Sequence, residues 1–342
     1  MLPTFINLPP AIQKTISAML AKQTSSEWVK RAELVHKRYM TFKKDNDSYL
    51  QDYTDALSYV ALRAPATYTQ IYSTLATIKE VAPSFKPTSI LDIGSGPGVG
   101  MWAAQTIYPQ IEDITNIDQN KNVIALGKEI AASTNIPTNI VWKHADVKSG
   151  LEKNGNTYDI ILLANILNEL HPRDRERLIG LAFNLCKGVL IIIEPGTPNG
   201  STIVQSAAKS LSRTGTLLAP YINNSFVEND TFWMHFSKRF MRPEFTRRIR
   251  QYMRDDMLSA SNIEEAKFAY VAIGKQESKN KSWGRCIGSV RIQKGFLEVP
   301  ILTADQIMQI KVLKRNKKQY TIAKNLTWGK LIKNKSDIVF IA

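Results

Sequence analysis

Apolar residues follow two different rhythms along this chain, and the rhythm changes near residue 88. Before that point the spacing is helical. Trp28, Ala32, Val35 and Tyr39 share one helical face behind Thr24-Ser25-Ser26-Glu27, which fits a capping box. A second helical stretch runs through Tyr53, Leu57, Tyr59, Val60 and Leu62 to Arg63-Ala64-Pro65, where the proline predicts a break. A third opens at Ala66-Thr67-Tyr68, with Ile71, Leu75 and Ile78 spaced for burial. Residues 1–82 therefore read as an N-terminal helical region, followed by Pro83-Ser84-Phe85-Lys86-Pro87 as a linker.

From Ser89 onward, short apolar runs alternate with amphipathic segments, the signature of a parallel sheet carrying helices on its faces. The pattern predicts strands at Ile90–Ile93, Asp113–Ile117, Ile140–His144, Tyr158–Ala164, Gly188–Glu194 and Phe268–Ile273. Residues 83–278 then form an α/β domain, interrupted at about 212–262 by an insertion. Gln276–Ser282 reads as a second linker. Residues 283–342 form a small β-rich appendage with segments at Ile287–Ile292, Phe296–Leu302, Ile310–Leu313 and Tyr320–Ala323.

The first of these strands runs into Asp92-Ile93-Gly94-Ser95-Gly96-Pro97-Gly98. Gly94, Gly96 and Gly98 allow a tight turn and close approach of the backbone to a ligand. Asp92 would repel a dinucleotide's pyrophosphate but hold a ligand bearing an ammonium and a sulfonium, as S-adenosylmethionine does. The second strand ends at Asp118, spaced to accept from both ribose hydroxyls. The third leads into Asp146, placed to accept from an adenine amino group, and Val147, placed to pack on the ring. Three acids after three successive strands point to a Rossmann-like S-adenosylmethionine-dependent methyltransferase fold.

The fourth strand leads into Ala164-Asn165-Ile166-Leu167-Asn168-Glu169-Leu170-His171, the stretch expected to face the methyl group. It lacks the Asn/Asp-Pro-Pro-aromatic motif of base-amine methylases. Neither Cys186 nor Cys286 sits where a nucleophilic thiol would be needed, and Cys186 reads as a buried core thiol. Asn165 is the catalytic candidate. Glu169 and His171 are further candidates to bind the cofactor or a substrate, and His171, before Pro172, reads equally as a helix-start residue.

Composition narrows the partner. The 342 residues are 44% hydrophobic and 22% charged, enough for a real core, and carry a net charge of +15. Two cysteines exclude a disulfide scaffold or a four-thiolate metal site, and no metal site is expected. The first residues resemble neither a signal nor a transit peptide, and no apolar run approaches the roughly 20 residues needed to span a bilayer. The expectation is a cytoplasmic protein without a membrane role. Two basic clusters are candidates for phosphate contact: Lys238, Arg239, Arg247, Arg250 and Arg254 in the insertion, and Lys314, Arg315, Lys317 and Lys318 in the tail. The first includes an expected arginine face on a helix opening at Pro243 and Glu244.

Several segments together resemble the mitochondrial small-ribosomal-subunit methyltransferase-like family and its bacterial relatives. They are Leu62–Tyr68, the Asp92–Gly98 loop, Ala164–Leu170, Glu194-Pro195-Gly196-Thr197-Pro198, Trp233–Arg239, Lys267–Ala272 and Tyr320–Gly329. The resemblance implies S-adenosylmethionine binding and association with the small ribosomal subunit and its rRNA during assembly. It leaves two roles open, an rRNA methyltransferase and a non-catalytic assembly factor that binds rRNA. A nicotinamide oxidoreductase is disfavoured by Asp92. In many relatives a Cys-Pro-His-type run, a cysteine before the His-Phe-Ser element and another in the tail ligate an iron–sulfur cluster. Here those stretches read Ala219-Pro220-Tyr221-Ile222-Asn223-Asn224-Ser225-Phe226, Met234 and Phe296–Leu302, so no cluster is expected and packing takes its place.

Overall fold

The computed structural model describes residues 3–41, 50–134, 139–147, 151, 155–228, 232–253, 261–276 and 281–339. Helices α1 (Pro10–Ala21), α2 (Ser25–Thr41) and α3 (Tyr53–Val81) come first. Next are β1 (Ser89–Ile93), α4 (Val99–Ile107), β2 (Asp113–Asp118), α5 (Lys121–Ser133), β3 (Asn139–His144) and β4 (Tyr158–Ala164). They continue with α6 (Pro172–Leu185), β5 (Cys186–Pro195), α7 (Pro198–Leu211), β6 (Thr216–Ala219), β7 (Phe236–Met241), α8 (Glu244–Tyr252) and β8 (Ile263–Gly274). The tail holds β9 (Gly284–Cys286), β10 (Arg291–Gln293), β11 (Phe296–Thr303), β12 (Ile307–Leu313), α9 (Lys317–Lys324) and β13 (Leu331–Ile332).

Two compact units are assembled from non-contiguous stretches rather than from the consecutive blocks that composition suggests. The first comprises Met1–Ala76, Lys86–Lys187 and Lys238–Ala266. Its parallel strands lie in the order β3-β2-β1-β4, a Rossmann-like half-sheet. β1 pairs Asp92 with Asn116 on one side and with Leu162 on the other. Every residue of β1 is buried, and after Ser89 the strand reads as an apolar run broken only by Asp92. Helices α4, α5 and α6 pack on this sheet, and the N-terminal helices join the same unit, α1 against α2 and α5, and α2 against α8.

Pro65 does not break its helix. α3 runs unbroken from Tyr53 to Val81 with Pro65 inside it. A proline at this position removes the hydrogen bond to the carbonyl four residues earlier. Here the Thr246 hydroxyl of α8 donates to that Ala61 carbonyl at 2.7 Å, inside the core. The next turn is held by the Thr69 hydroxyl, placed 2.8 Å from Pro65 O and 3.0 Å from Ile6 O.

The second unit comprises Thr77–Phe85, Gly188–Ser237 and Lys267–Ala342. In it β8 pairs antiparallel with β5 on one side and β6 on the other, with a register irregularity between Leu217 and Ala219. The tail forms a separate five-stranded antiparallel sheet, ordered β10-β11-β9-β13 with β12 on β11. Its own core contains Cys286, Leu297, Val299, Ile301, Val312, Ala323, Ile332 and Ile338. Of the expected Ile287–Ile292 strand only Arg291 and Ile292 are extended, in β10; residues 287–290 connect β9, which ends at Cys286, to β10. The expected β segment at Tyr320–Ala323 is instead helix α9, which buries Ala323 and packs on β11 and β12. Thr321 and Asn325 bond back to the carbonyls of Lys317 and Thr321, a helical spacing that a short apolar run conceals.

Candidate functional site

β1 ends in the acid–glycine loop, and the first unit fixes that loop from several directions. The amides of Gly94 and Ser95 both donate to Ile117 O, at 2.8 and 3.0 Å, tying the turn to the end of β2. Gly94, Gly96 and Gly98 have φ of 71°, 55° and 87°, the left-handed region that glycine reaches without a Cβ penalty. Gly94 is further constrained, because a Cβ there would lie 2.3 Å from Ile166 Cδ1. A Cβ on Gly100 would lie 2.3 Å from Asp92 Oδ2, so the bare first turn of α4 is what leaves room for that carboxylate.

Asp92 is 2% exposed, and its Oδ2 has no hydrogen-bond partner. Burial, reinforced by the charge of Asp118, pushes its carboxyl up to about 8, while the Gly100 amide acts in the opposite direction. A buried carboxyl with an orphaned oxygen is costly on its own and is satisfied by a cationic donor.

Asp118 is arranged differently. Its Oδ2 accepts from Gly96 N at 2.9 Å and its Oδ1 from Asn120 N at 2.8 Å, so it holds the loop. Burial raises its pKa, while the amides of Asn120, Gly96 and Gln119 and the nearby His144 pull it down. Asp146 is exposed just beyond β3 and Val147 is buried.

Asn165 follows β4 with φ of 57°, unusual for a side-chain-bearing residue. Its Nδ2 donates to Gln70 Oε1 of α3 at 3.0 Å. Gln70 was invisible as a site residue in the sequence because it sits in a helix remote from the strand pattern. Trp142 was missed as well. Its ring would lie 3.0 Å from a Cβ on Gly98 and 2.3 Å from one on Gly127, so it fills the space beside the loop. The glycine inside α5 was the available signal. His171 is the N-cap residue of α6, ahead of Pro172, and its side chain makes no capping bond.

The expected arginine face on α8 does not form as a free row. Arg250 Nη2 bonds Glu264 Oε1 at 2.8 Å, and the buried Arg242 holds the other oxygen of the same carboxylate at 2.8 Å. Arg239 is exposed and pairs with Glu265 at 3.1 Å. Lys238 and Arg247 are half-buried, and Arg254 lies outside the described residues. In the second unit, Lys314, Arg315, Lys317 and Lys318 are all exposed.

A family model described as "Mitochondrial small ribosomal subunit Rsm22" matches residues 53–333, which includes the whole loop and its supports. The chain belongs to the Rsm22 family. The mitochondrial Rsm22-cox11 tandem protein 2 of Schizosaccharomyces pombe is 27% identical to this Rsm22-family chain over 177 residues, 48% of this chain and 23% of that protein. The mitochondrial Ribosome assembly protein METTL17 of Homo sapiens is 24% identical over 165 residues, 45% of this chain and 35% of that protein. The match thus spans about a quarter to a third of these relatives' length.

Among solved structures, magnesium protoporphyrin IX methyltransferase from Synechocystis PCC 6803 with bound SAM aligns at a TM-score of 0.40 and 9% identity, covering 77% of this chain and 97% of that one. A SAM-dependent methyltransferase from Agrobacterium tumefaciens aligns at 0.40 and 14%, covering 61% and 62%. The fold of this Rsm22-family chain rests on its own strand order and loop. The segments that the resemblance pairs with cluster cysteines hold no thiolate: Ala219, Tyr221 and Met234 are buried there. Cys186 and Cys286 lie buried outside those segments and form no disulfide. Among the described residues no group of three or more His, Cys, Asp or Glu could hold a metal ion, and no helix is long and apolar enough to cross a membrane.

Proposed function

We propose that this Rsm22-family chain binds S-adenosylmethionine at the Asp92–Gly98 loop and acts as a methyltransferase on small-subunit rRNA during assembly, in the cytoplasm. The orphaned, fully buried Asp92 Oδ2 beside three left-handed glycines carries the reading, because an amino-acid ammonium is the donor this geometry lacks. The residues present fit the cofactor. Asp92 would take its ammonium, the glycine amides would pass close to its methionine part, Asp118 would accept from its ribose, and Asp146 with Val147 would hold its adenine. When bound, the cofactor supplies an electrophilic methyl group.

The chain's own contribution is to position and desolvate. Gln70 fixes the Asn165 amide by its Nδ2, which turns the Asn165 carbonyl oxygen into the group left to orient a nucleophile. Ile166 packs against Gly94 at the turn.

A second reading, a non-catalytic assembly factor that binds rRNA, is favoured by the same Asn165–Gln70 bond, which commits the Asn165 amide nitrogen to a structural contact. The human relative is itself named a ribosome assembly protein. Labelled S-adenosylmethionine given to small subunits from cells lacking the protein separates the two. Label in rRNA with the wild type and none with Asp92→Asn supports the enzyme. Cofactor and subunit binding without transferred label supports the assembly factor.

A further inference from the structure

Of the six tryptophans, all within the described residues, only Trp233 is exposed, at 41%. It belongs to the second unit and lies just ahead of β7. Burial alternates along Trp233-Met234-His235-Phe236: exposed, buried, half-buried, buried. The two buried residues are anchored. The Met234 carbonyl accepts from the Ser201 hydroxyl at 3.0 Å, and Phe236 packs on Phe268 and Tyr270 with ring centroids 6.1 and 4.9 Å away. Side chains along an extended stretch alternate in direction, so these anchors turn Trp233 and His235 to the opposite side.

That outward pair is stacked. The His235 ring lies on Trp233 with centroids 4.2 Å apart and planes within 22°. The half-buried Trp328 of the tail meets the same imidazole edge-on, at 4.8 Å. His235 Nδ1 donates to Trp233 O at 3.1 Å, which fixes the imidazole against the indole. Burial, together with the nearby Lys267, holds the His235 pKa below the usual histidine value despite that bond, so near pH 7 the imidazole stacks as a neutral ring.

An exposed indole face attracts cations as well as flat rings. Here the exposed Lys267 beside His235 and the net charge of +15 oppose a cation and favour a polyanion. The flat group that a polyanion of this kind carries is a nucleobase, which stacks on aromatic side chains when it is unpaired. We propose that Trp233, backed by His235 and Trp328, is a stacking platform for one unpaired base of single-stranded RNA. Because the rings already hold one another, little side-chain freedom is lost when a base stacks. This inference rests on the rRNA-binding reading shared by both roles above, and adds the place where an unpaired base is held.

The test is binding of the full chain to end-labelled oligo(A) RNA of about 15 nucleotides, followed by fluorescence anisotropy. Trp233→Leu should weaken binding about tenfold, the worth of one stacked base, and Trp233→Phe should recover most of that loss. Neither change alters a charge, so the salt slope should keep its wild-type value in both. An RNA duplex of equal length should bind the wild type and Trp233→Leu alike, because its bases are already paired; the same measurement reports that the variant is folded. Equal affinity of the wild type and Trp233→Leu for the single strand would overturn the platform while leaving RNA binding intact. An equal loss on the duplex, or no recovery in Trp233→Phe, would overturn it too. A wild type that binds neither RNA would overturn the rRNA reading and the platform with it.

Discussion

The Thr246 hydroxyl donates to the Ala61 carbonyl at 2.7 Å, replacing the bond that Pro65 cannot make. Thr246 is 0% exposed, so without its hydroxyl the Ala61 carbonyl would be buried and unsatisfied. Thr246→Val keeps the shape and should destabilise the chain by about 1–3 kcal/mol in urea unfolding. Thr246→Ser keeps the donor and should recover most of that loss.

Asp92 makes the stability of the ligand-free protein depend on pH. Its native carboxyl ionises near 8, whereas the ordinary value is 3.8. Between those values the native state keeps a proton that the unfolded chain releases. Stability is therefore greatest below the lower value and falls as pH rises toward the upper one, by at most about 1.4 kcal/mol per pH unit. Asp92→Asn should flatten this slope and make the ligand-free protein more stable at pH 8, while weakening cofactor binding. Urea midpoints at pH 5 and pH 8 for both proteins check the sign.

Gly94 answers two constraints at once, a left-handed backbone and the Ile166 side chain. Gly94→Ala should cost about 2 kcal/mol or more in urea unfolding, from strain and overpacking together. Adding Ile166→Ala should recover only the steric part. A double-mutant cycle with a coupling near zero would mean that Ile166 does not crowd this glycine.

The two basic clusters should behave differently when altered. Arg250→Gln leaves Glu264 short of a partner in a largely buried ion-pair network and should lower stability more than it lowers RNA affinity. Replacing Lys314, Arg315, Lys317 and Lys318 with glutamine should leave the unfolding midpoint nearly unchanged. If these side chains meet phosphates, the salt slope of RNA binding should fall by up to about 3 in the log–log plot. Filter binding across a salt series, alongside thermal melts, distinguishes the two outcomes.

The positions of strands β1 to β4 along the chain and the acid–glycine turn were legible because each rests on local chemistry: an apolar run, an acid, then glycines at fixed offsets. Features built from distant residues were not. Pro65 reads as a helix breaker until Thr246 is seen beside Ala61, and the two are far apart in sequence. Arg250 reads as a phosphate contact until the chain returns with Glu264 on β8. α9 was hidden because four residues of apolar alternation suit a strand or a helix equally. Gln70 carried no signal at all, since its meaning comes only from Asn165 lying against it.

Proton release on cofactor binding tests the central claim most directly. Calorimetric titration of the protein with S-adenosylmethionine at pH 7, in two buffers of different ionisation enthalpy, counts the protons that leave. If the cofactor ammonium meets Asp92, the carboxyl must ionise on binding, and close to one proton should be released per cofactor bound, with the release lost in Asp92→Asn. No binding, or binding with the same heat in both buffers, would contradict the assignment of Asp92 and its loop as the cofactor site.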